Sequence, residues 1–415
     1  MPLVDAAPEL PMNAPITALN TIEYGDPDLR EKLLENAQQL LPVLRQRVAD
    51  SEAARHIHPD TIQDFHRAGF WRMLQPRAFG GLEVHPNTFF DVQIMVASAH
   101  PSAAWVLGVV AVHNWQLALF DMRAQQEVWG EDTRVLISSS YAPTGKVEAV
   151  EGGYKLTGRW SFSSGVDHCK WAFLGGFVPT DGCGPPDMRT FLVPLSEASI
   201  DDTWHTMALK ATGSKDVVLN GVFVPEHRTH KMSDGFRCDN PGNAHHDAPL
   251  YRLPFGQVFV RSVSTTSIGI AKGALAFYRE VTSTKVGAAD GNRASKDPSA
   301  QMACARAAST IDQLELVLHR NMDHLMADAA RGERTDIDTR VAFRWDSSEA
   351  VTRAVAVVDE LFALCGGRAL FLSSPMHRYF SDVHGARAHY ANRPDASGRN
   401  FGRVQLGMRT TDYFI

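Results

Sequence analysis

The spacing of apolar side chains changes twice along this chain of 415 residues, and the change limits the folds open to it. Up to about residue 130 the apolar residues recur at helical intervals. From about residue 134 they form short alternating runs separated by Gly, Pro and Asp, as β-strands do. Helical spacing returns from residue 257. Because helices and strands do not alternate, a Rossmann-type parallel sheet is not expected.

These changes predict an α+β protein of several domains. The predicted segments are an extended N-terminal arm at 1–26, an N-terminal helical domain at 27–133, a central antiparallel β domain at 134–227, an irregular connection or lid at 228–256, and a C-terminal four-helix bundle with a tail at 257–415. Within the last segment, helices are expected at 257–283, 298–330, 335–366 and about 375–392.

The composition excludes several classes of function. Hydrophobic residues make up 44% and charged residues 21%, which is ordinary for a soluble globular protein. A formal net charge of −6 argues against nucleic-acid binding. No apolar run is long enough to span a bilayer, and the N-terminus lacks the pattern of a signal peptide. The five cysteines are scattered without a CxxC pair, so we expect no zinc site and a reducing cytoplasmic location.

One stretch in the β region has the composition of a ligand site. A predicted hairpin turning at Gly152-Gly153 leads into Trp160-Ser161-Phe162-Ser163-Ser164-Gly165. Aromatic faces, short hydroxyl donors and a glycine that admits close backbone approach would suit a flat aromatic ligand. The alternative is the end of a strand followed by a serine-rich turn. The chain shows no GxGxxG, P-loop, GxSxG or HExxH motif, so no nicotinamide site is visible.

Several segments resemble a known fold family over about residues 27–405. Leu74-Gln75-Pro76 with Phe79-Gly80-Gly81-Leu82-Glu83, and Lys210-Ala211-Thr212-Gly213-Ser214 with Gly221-Val222-Phe223-Val224-Pro225, resemble the acyl-CoA dehydrogenase fold. Some acyl-CoA dehydrogenases carry a catalytic Glu in a Tyr-Glu-Gly segment, where this chain has His389-Tyr390-Ala391. That departure counts against α-proton removal from an acyl-CoA.

Within that fold the chain is most similar to flavin-dependent aromatic monooxygenases of group D, such as the oxygenase components of two-component p-hydroxyphenylacetate 3-hydroxylases. The segments that carry this resemblance are Ala104-Trp105, Val112-His113-Asn114, Ser138-Ser139-Ser140-Tyr141-Ala142-Pro143, Ser163-Ser164-Gly165-Val166-Asp167-His168, and Asp382-Val383-His384-Gly385-Ala386-Arg387-Ala388-His389.

The resemblance implies roles for individual residues. His113 lies on an almost wholly apolar helix, where a histidine is more often a core residue, but the resemblance places it beside the substrate hydroxyl, opposite Ser139. Trp105 lies about 80° from His113 around the helix, so both could line one pocket. Trp105 is expected beside the flavin ring, Ser164 at flavin N5, and His389 next to the reacting oxygen. The further cofactor contacts implied are Ser138, Ser163 and Gly165, and the further substrate contacts are Tyr251 and Phe255.

The resemblance thus implies the oxygenase component of a two-component monooxygenase. It would take reduced FMN or FAD from a separate NAD(P)H-dependent reductase, react through a C4a-hydroperoxyflavin with O₂, need no metal, and hydroxylate a small phenol ortho to its hydroxyl. A homotetramer is also implied. The alternatives are an acyl-CoA dehydrogenase or oxidase, an N- or S-hydroxylating oxygenase of the same fold, and a helical scaffold that binds flavin without chemistry.

Overall fold

The computed structural model describes residues 28–179, 187–284 and 293–415. The arm predicted for 1–26 lies outside the described residues. The elements run in the predicted order of helices, strands and helices. No helix in the described ranges is both long and apolar enough to cross a membrane.

The N-terminal part is helical, and one of its helices is buried on every side. The helices are α1 (Leu29–Gln46), α2 (Val48–Ala54), α3 (Pro59–Arg67), α4 (Pro86–Ala99), α5 (Pro101–Leu117) and α6 (Met122–Trp129). Proline opens α4 and α5, and the side chains of His85 and His100 accept the amide hydrogens of Asn87 and Ala103 at their N-termini. Every residue of α5 is buried, so this helix packs against other parts of the protein on every side.

The described strands form two four-stranded sheets, with orders β1-β4-β5-β8 and β2-β3-β7-β6. The strands are β1 (Ile137–Ser140), β2 (Lys146–Val150), β3 (Gly153–Ser163), β4 (Trp171–Val178), β5 (Asp187–Pro194), β6 (Ser199–Asp201), β7 (Lys215–Pro225) and β8 (Thr229–Lys231). All pairings among them are antiparallel except β1 with β4, which is parallel. The exception arises because the chain visits the second sheet between β1 and β4 and re-enters the first sheet in the original direction.

Two local expectations for this region were wrong. The segment 228–256 is not wholly irregular, because β8 pairs with β5 and is followed by α7 (Met232–Arg237). Three residues are too few to show an alternating pattern in the sequence. Trp160 does not offer its face to a ligand: it is fully buried between the sheets, where its Nε1 donates to the Gly175 carbonyl at 2.8 Å. Phe162 instead points outward and is 70% exposed.

The C-terminal part contains the four predicted helices and one more. They are α8 (Phe255–Thr284), α9 (Pro298–Ala330), α10 (Ile337–Cys365), α11 (Pro375–Arg387) and α12 (Pro394–Gln405). The last was not predicted. The fourth predicted helix, 375–392, ends earlier at Arg387, and a 3-10 turn at Tyr390–Asn392 follows it.

Small residues bring α4, α5 and α8 into close contact. A Cβ added to Gly108 of α5 would lie 2.0 Å from Nε2 of Gln93 on α4 and 2.7 Å from the carbonyl oxygen of Ser262 on α8. The same Gln93 amide donates to Ser262 and to the hydroxyl of Thr266. Buried amide hydrogen bonds and the missing Cβ therefore fix where α5 lies between its two neighbours.

We expect Gly108→Ala to lower the free energy of unfolding by about 1–3 kcal/mol, because the new methyl group overlaps the Ser262 backbone. This loss should exceed the helix-propensity gain of about 1 kcal/mol. Gly402→Ala in α12 is the matched control, since nothing lies within 4 Å of its added Cβ. Urea unfolding of both variants measures the difference, and an equal effect of the two would contradict this view of the packing.

Candidate active site

Trp105 and His113 lie two turns apart on α5 and meet side chains from the β sheets and from the C-terminal helices. Trp105 is 5% exposed, and its Nε1 donates to the Ser164 hydroxyl at 3.1 Å. Its ring stands edge-on to the His389 imidazole, with centroids 5.5 Å apart. Three predicted site residues from distant parts of the chain are therefore in direct contact.

Gly165 explains how the β sheets approach α5 so closely. It has a φ of +72°, which favours glycine, and its amide donates to the Thr212 carbonyl at 2.8 Å. A Cβ at this position would lie 2.9 Å from Cγ1 of Val106 and 3.2 Å from Cγ2 of Val110. Because Gly165 has no side chain, the loop carrying Ser164 packs directly against α5.

His113 is fully buried, and its hydrogen bonding fixes its tautomer. Nδ1 lies 2.6 Å from the carbonyl oxygen of Ile137. A carbonyl only accepts, so Nδ1 carries the proton and Nε2 presents a lone pair. Nε2 is buried and has no hydrogen-bond partner in the described part of the chain. Burial lowers the pKa of His113 to about 4, so the ring is neutral at pH 7.

Aromatic rings surround His113. Phe173 and Tyr141 stand edge-on to it, with centroids at 5.7 Å and 6.1 Å. Tyr141 contacts Phe259 and Phe255 at 5.0 Å and 5.7 Å, and Phe259 continues the wall to His389 at 6.3 Å. The predicted substrate residue Phe255 is therefore part of this wall.

Ser139 faces the aromatic wall, and its two neighbours on the sequence face the other way. Its side chain lies near the hydroxyl of Tyr141, which itself donates to Oε1 of Gln116. Side chains alternate along β1, so Ser138 points to the opposite face. There the Ser163 hydroxyl donates to that of Ser138 at 3.0 Å, and both are fully buried. The Ser138 and Ser163 hydroxyls thus join β1 to β3.

His389 caps the 3-10 turn that follows α11, and its tautomer is the opposite of that of His113. The amide of Ala391 donates to Nδ1 of His389 at 3.2 Å. In the neutral ring the proton is therefore on Nε2, which becomes a donor. Burial, and secondarily the charge of Arg344, lower its pKa to about 4.

Tyr251 stands apart from this arrangement. Its hydroxyl donates to the Leu74 carbonyl at 3.2 Å, and its ring packs against His246 at 5.2 Å. The ring is fully buried. Its hydroxyl hydrogen is thus used by the protein's own backbone.

The sequence analysis missed Tyr141, Gln116 and Phe259 as members of the site. Phe259 could have been found, because it follows Phe255 by four residues and so shares its helix face. Tyr141 directly follows the serine triplet, but β1 ends at Ser140. The alternation of side chains along the strand therefore does not predict where the Tyr141 side chain points. Gln116 carries no sequence signal.

Two open cavities lie elsewhere in the described structure. They hold about 300 and 390 Å³ and share His66, Arg134 and Leu136 in their walls. None of the predicted site residues lines either of them.

The chemistry of the site suits an organic ring. In the described ranges no group of three or more His, Cys, Asp or Glu side chains is placed to hold a metal. Trp105 supplies an aromatic ring, and Ser164 supplies a hydroxyl beside it. The residues present therefore fit an isoalloxazine ring beside Trp105.

Known proteins share this architecture. The C-terminal domain of acyl-CoA dehydrogenases matches residues 262–394. The flavin-dependent monooxygenase oxygenase subunit HsaA of Rhodococcus jostii is 38% identical, covering 92% of this chain and 100% of that protein. The crystal structure of a 3-HSA hydroxylase from Rhodococcus sp. RHA1 superposes with a TM-score of 0.89 at 38% identity, covering 92% of this chain and 99% of the other.

Two further relatives are named for activities on aromatic compounds. The FADH₂-dependent resorcinol hydroxylase oxygenase component of a Rhizobium species is 32% identical, covering 91% of this chain and 94% of that protein. The p-hydroxyphenylacetate 3-hydroxylase oxygenase component of Acinetobacter baumannii is 29% identical over 91% of this chain and 89% of its own length. The predicted resemblance is confirmed, although the identity with HsaA is higher. The chain therefore belongs to the oxygenase subunits of flavin-dependent monooxygenases that share the acyl-CoA dehydrogenase fold.

Proposed function

We propose that this protein hydroxylates a small phenolic compound ortho to its hydroxyl group, using reduced flavin and O₂. The observation that carries the proposal is the bare Nε2 of His113, which has no partner among the described residues and is surrounded by aromatic rings. A buried unpaired acceptor costs free energy unless a ligand donates to it. A phenol supplies both the donor and the flat apolar ring that such a site needs.

The phenol hydroxyl would donate to Nε2 of His113, with the Ser139 hydroxyl on the other side. Because burial keeps His113 neutral, its lone pair is available to draw the phenolic proton. Electron density moves towards the phenol oxygen and from there to the ortho carbon. That carbon becomes a better nucleophile for an electrophilic oxygen atom.

The flavin ring would lie beside Trp105 and Ser164, with His389 between it and the substrate. Reduced flavin and O₂ together supply the oxygen atom that enters the ring, and the second oxygen atom leaves as water. The Nε2–H of His389 would donate to that oxygen; the ring contact with Trp105 and the amide bond to Nδ1 support this role. The rings of Tyr141, Phe259 and Phe255 exclude water from the same space.

We propose that the reduced flavin comes from a separate NAD(P)H-dependent reductase. The named two-component relatives support this, and the Rhizobium relative is described as using FADH₂. Both FADH₂ and FMNH₂ suit the residues beside Trp105, because these residues would contact the ring system that the two cofactors share. We propose a cytoplasmic location. The thiols of Cys169, Cys238 and Cys304 support it, because none of these three forms a disulfide among the described residues.

We also propose that the protein assembles as a homotetramer through its C-terminal helices. A run of apolar side chains is exposed where α10 ends: Leu370 is 67% exposed, Phe371 64% and Leu372 74%. A contiguous apolar run of this kind usually marks a protein interface.

The proposal is tested by supplying the protein with enzymatically reduced flavin, O₂ and a panel of phenols. We expect His113→Ala to consume reduced flavin and O₂ at a similar rate while product per flavin falls by about 10²-fold, with H₂O₂ released instead. The physical reason is that the phenol loses its acceptor while the residues beside Trp105 are unchanged. Chromatographic product analysis and a peroxide assay give the ratio.

His230→Ala is the matched control for removing a buried imidazole. His230 is 4% exposed and hydrogen-bonds with Asn240. Its ring packs against Phe120, away from the rings that surround His113. This variant should lose stability but keep its product yield. Normal coupling in His113→Ala would show that the assigned role is wrong, and flavin bleaching by an acyl-CoA without reductase would favour dehydrogenation.

The pH dependence of coupling should follow the lowered pKa of His113. A pKa of about 4 means that the lone pair on Nε2 persists as the pH falls through the range where an ordinary histidine protonates. Product per flavin should therefore be constant from about pH 5.5 to 8.5. A decline with a midpoint near 6.5 in single-turnover measurements would contradict the buried neutral state.

The double variant Phe371→Asp, Leu372→Asp should shift the protein from four copies to fewer. Two carboxylates in the exposed apolar run cannot be buried without a large desolvation cost. Multi-angle light scattering measures the mass, and Val150→Asp on β2, which replaces a residue 43% exposed, is the control. A monomeric unmodified protein would exclude the tetramer, and an unchanged variant would exclude this surface.

A further inference from the structure

Behind Ser164 lies a buried row of hydroxyl groups that leads away from Trp105. The Ser164 Oγ is 2.7 Å from the Ser214 Oγ, which is 2.7 Å from Oγ1 of Thr212. Thr212 in turn is 3.0 Å from the carbonyl oxygen of Leu209. Ser214 is 4% exposed and Thr212 1% exposed, so water does not compete for these bonds.

The two ends of this row fix the direction of every hydrogen bond in it. The Leu209 carbonyl can only accept, so Thr212 donates to it. Each hydroxyl has one hydrogen, so Ser214 must donate to Thr212 and Ser164 must donate to Ser214. At the other end the indole Nε1 of Trp105 can only donate, so Ser164 accepts from it.

With these directions, the Ser164 hydroxyl can make only one kind of hydrogen bond with a ligand. Its hydrogen is used by Ser214, and one of its two lone pairs by Trp105. The second lone pair has no partner in the described part of the chain. Ser164 therefore accepts a hydrogen bond from a ligand but does not donate one.

The row is held at its far end by the C-terminal helices. The Leu209 amide donates to Oδ1 of Asp382 on α11 at 2.6 Å, and Leu209 has a φ of +48°. Gly213, between the two hydroxyl residues, has a φ of +54°, and a Cβ there would lie 2.6 Å from Oδ2 of Asp167. These contacts hold the backbone of Leu209 and Gly213 in its left-handed conformation, which keeps Thr212 and Ser214 at their positions in the row.

We propose that Ser214 and Thr212 are positioning residues that make the site select reduced over oxidised flavin. This inference rests on the proposed function, which puts the flavin ring beside Ser164, and on the family resemblance, which implies that flavin N5 faces the Ser164 hydroxyl. In reduced flavin N5 carries a hydrogen and donates, which matches the free lone pair of Ser164. In oxidised flavin N5 carries a lone pair, which would face the lone pair of Ser164 without a hydrogen between them. The spent cofactor is thereby released and fresh reduced flavin is bound.

The test is an anaerobic titration of the full-length protein with reduced and with oxidised FMN, repeated with FAD. The ratio of the two dissociation constants is the readout, and it needs no substrate and no turnover. In Ser214→Ala the Ser164 hydroxyl loses its acceptor and can turn to donate to oxidised N5. We expect the preference for the reduced form to fall by roughly tenfold, the equivalent of one neutral hydrogen bond.

Conservative and matched variants separate hydrogen-bond direction from packing. Ser214→Thr keeps the hydroxyl and should retain the preference. Thr212→Val keeps the side-chain shape and should lower the preference, which provides a second measurement if Ser214→Ala folds poorly. Ser397→Ala removes a hydroxyl that is 3% exposed and 2.6 Å from the Ser348 hydroxyl in the helical bundle, and it should leave the ratio unchanged.

The outcomes distinguish this inference from the proposed function. If the unmodified protein prefers reduced flavin and Ser214→Ala and Thr212→Val leave the ratio unchanged, the inference is wrong and the function stands. If the unmodified protein binds neither form of flavin, the proposed function itself is wrong. An equal fall of the ratio in Ser397→Ala would also overturn the inference, since a distant loss of packing would then suffice.

Discussion

The burial of α5 on every side is the constraint on which the rest of the site depends. A helix without a solvent-facing side must satisfy each of its polar side chains inside the protein. His113 does so on one nitrogen only, and Trp105 does so through Ser164. The closely packed glycines at Gly108 and Gly165 then leave little room for water around either residue. The same packing that stabilises the fold thus leaves Nε2 of His113 buried among aromatic rings, without a hydrogen-bond partner in the described part of the chain.

Low polarity also determines the state of the two histidines. Burial lowers both pKa values to about 4, so neither ring is charged under physiological conditions. What distinguishes them is the backbone group that each one meets. A carbonyl at Ile137 makes His113 an acceptor through Nε2, and an amide at Ala391 makes His389 a donor through Nε2. In the proposed function a phenol would donate to Nε2 of His113 and an oxygen species would accept from Nε2 of His389, so one residue type would supply both opposite partners.

Much of this could be predicted from the sequence, because the periods of helix and strand and the segments around Trp105, Ser164 and His389 are local signals. The directions of side chains were harder to predict. Ser138 and Ser139 are neighbours with the same chemistry, yet one joins two strands and the other faces the aromatic wall. Trp160 looked like a ligand platform and is core, since burial between sheets depends on strands that pair far away in the chain. Tyr251 was expected in the pocket, but its hydroxyl bonds Leu74, 177 residues earlier.

Hydrogen-bond direction is a further property that no sequence motif states. Ser164 has the same hydroxyl whether it donates or accepts, and its role follows only from the two fixed ends of the row, the indole of Trp105 and the carbonyl of Leu209. Those ends belong to different parts of the fold, α5 and the loop before β7, and Asp382 ties that loop to α11. A change in any of the three could therefore alter what Ser164 offers to a ligand without touching Ser164. If flavin N5 lies at Ser164 as proposed, the packing of these three separate elements decides which redox state of flavin finds a matching hydrogen-bond partner at that single atom.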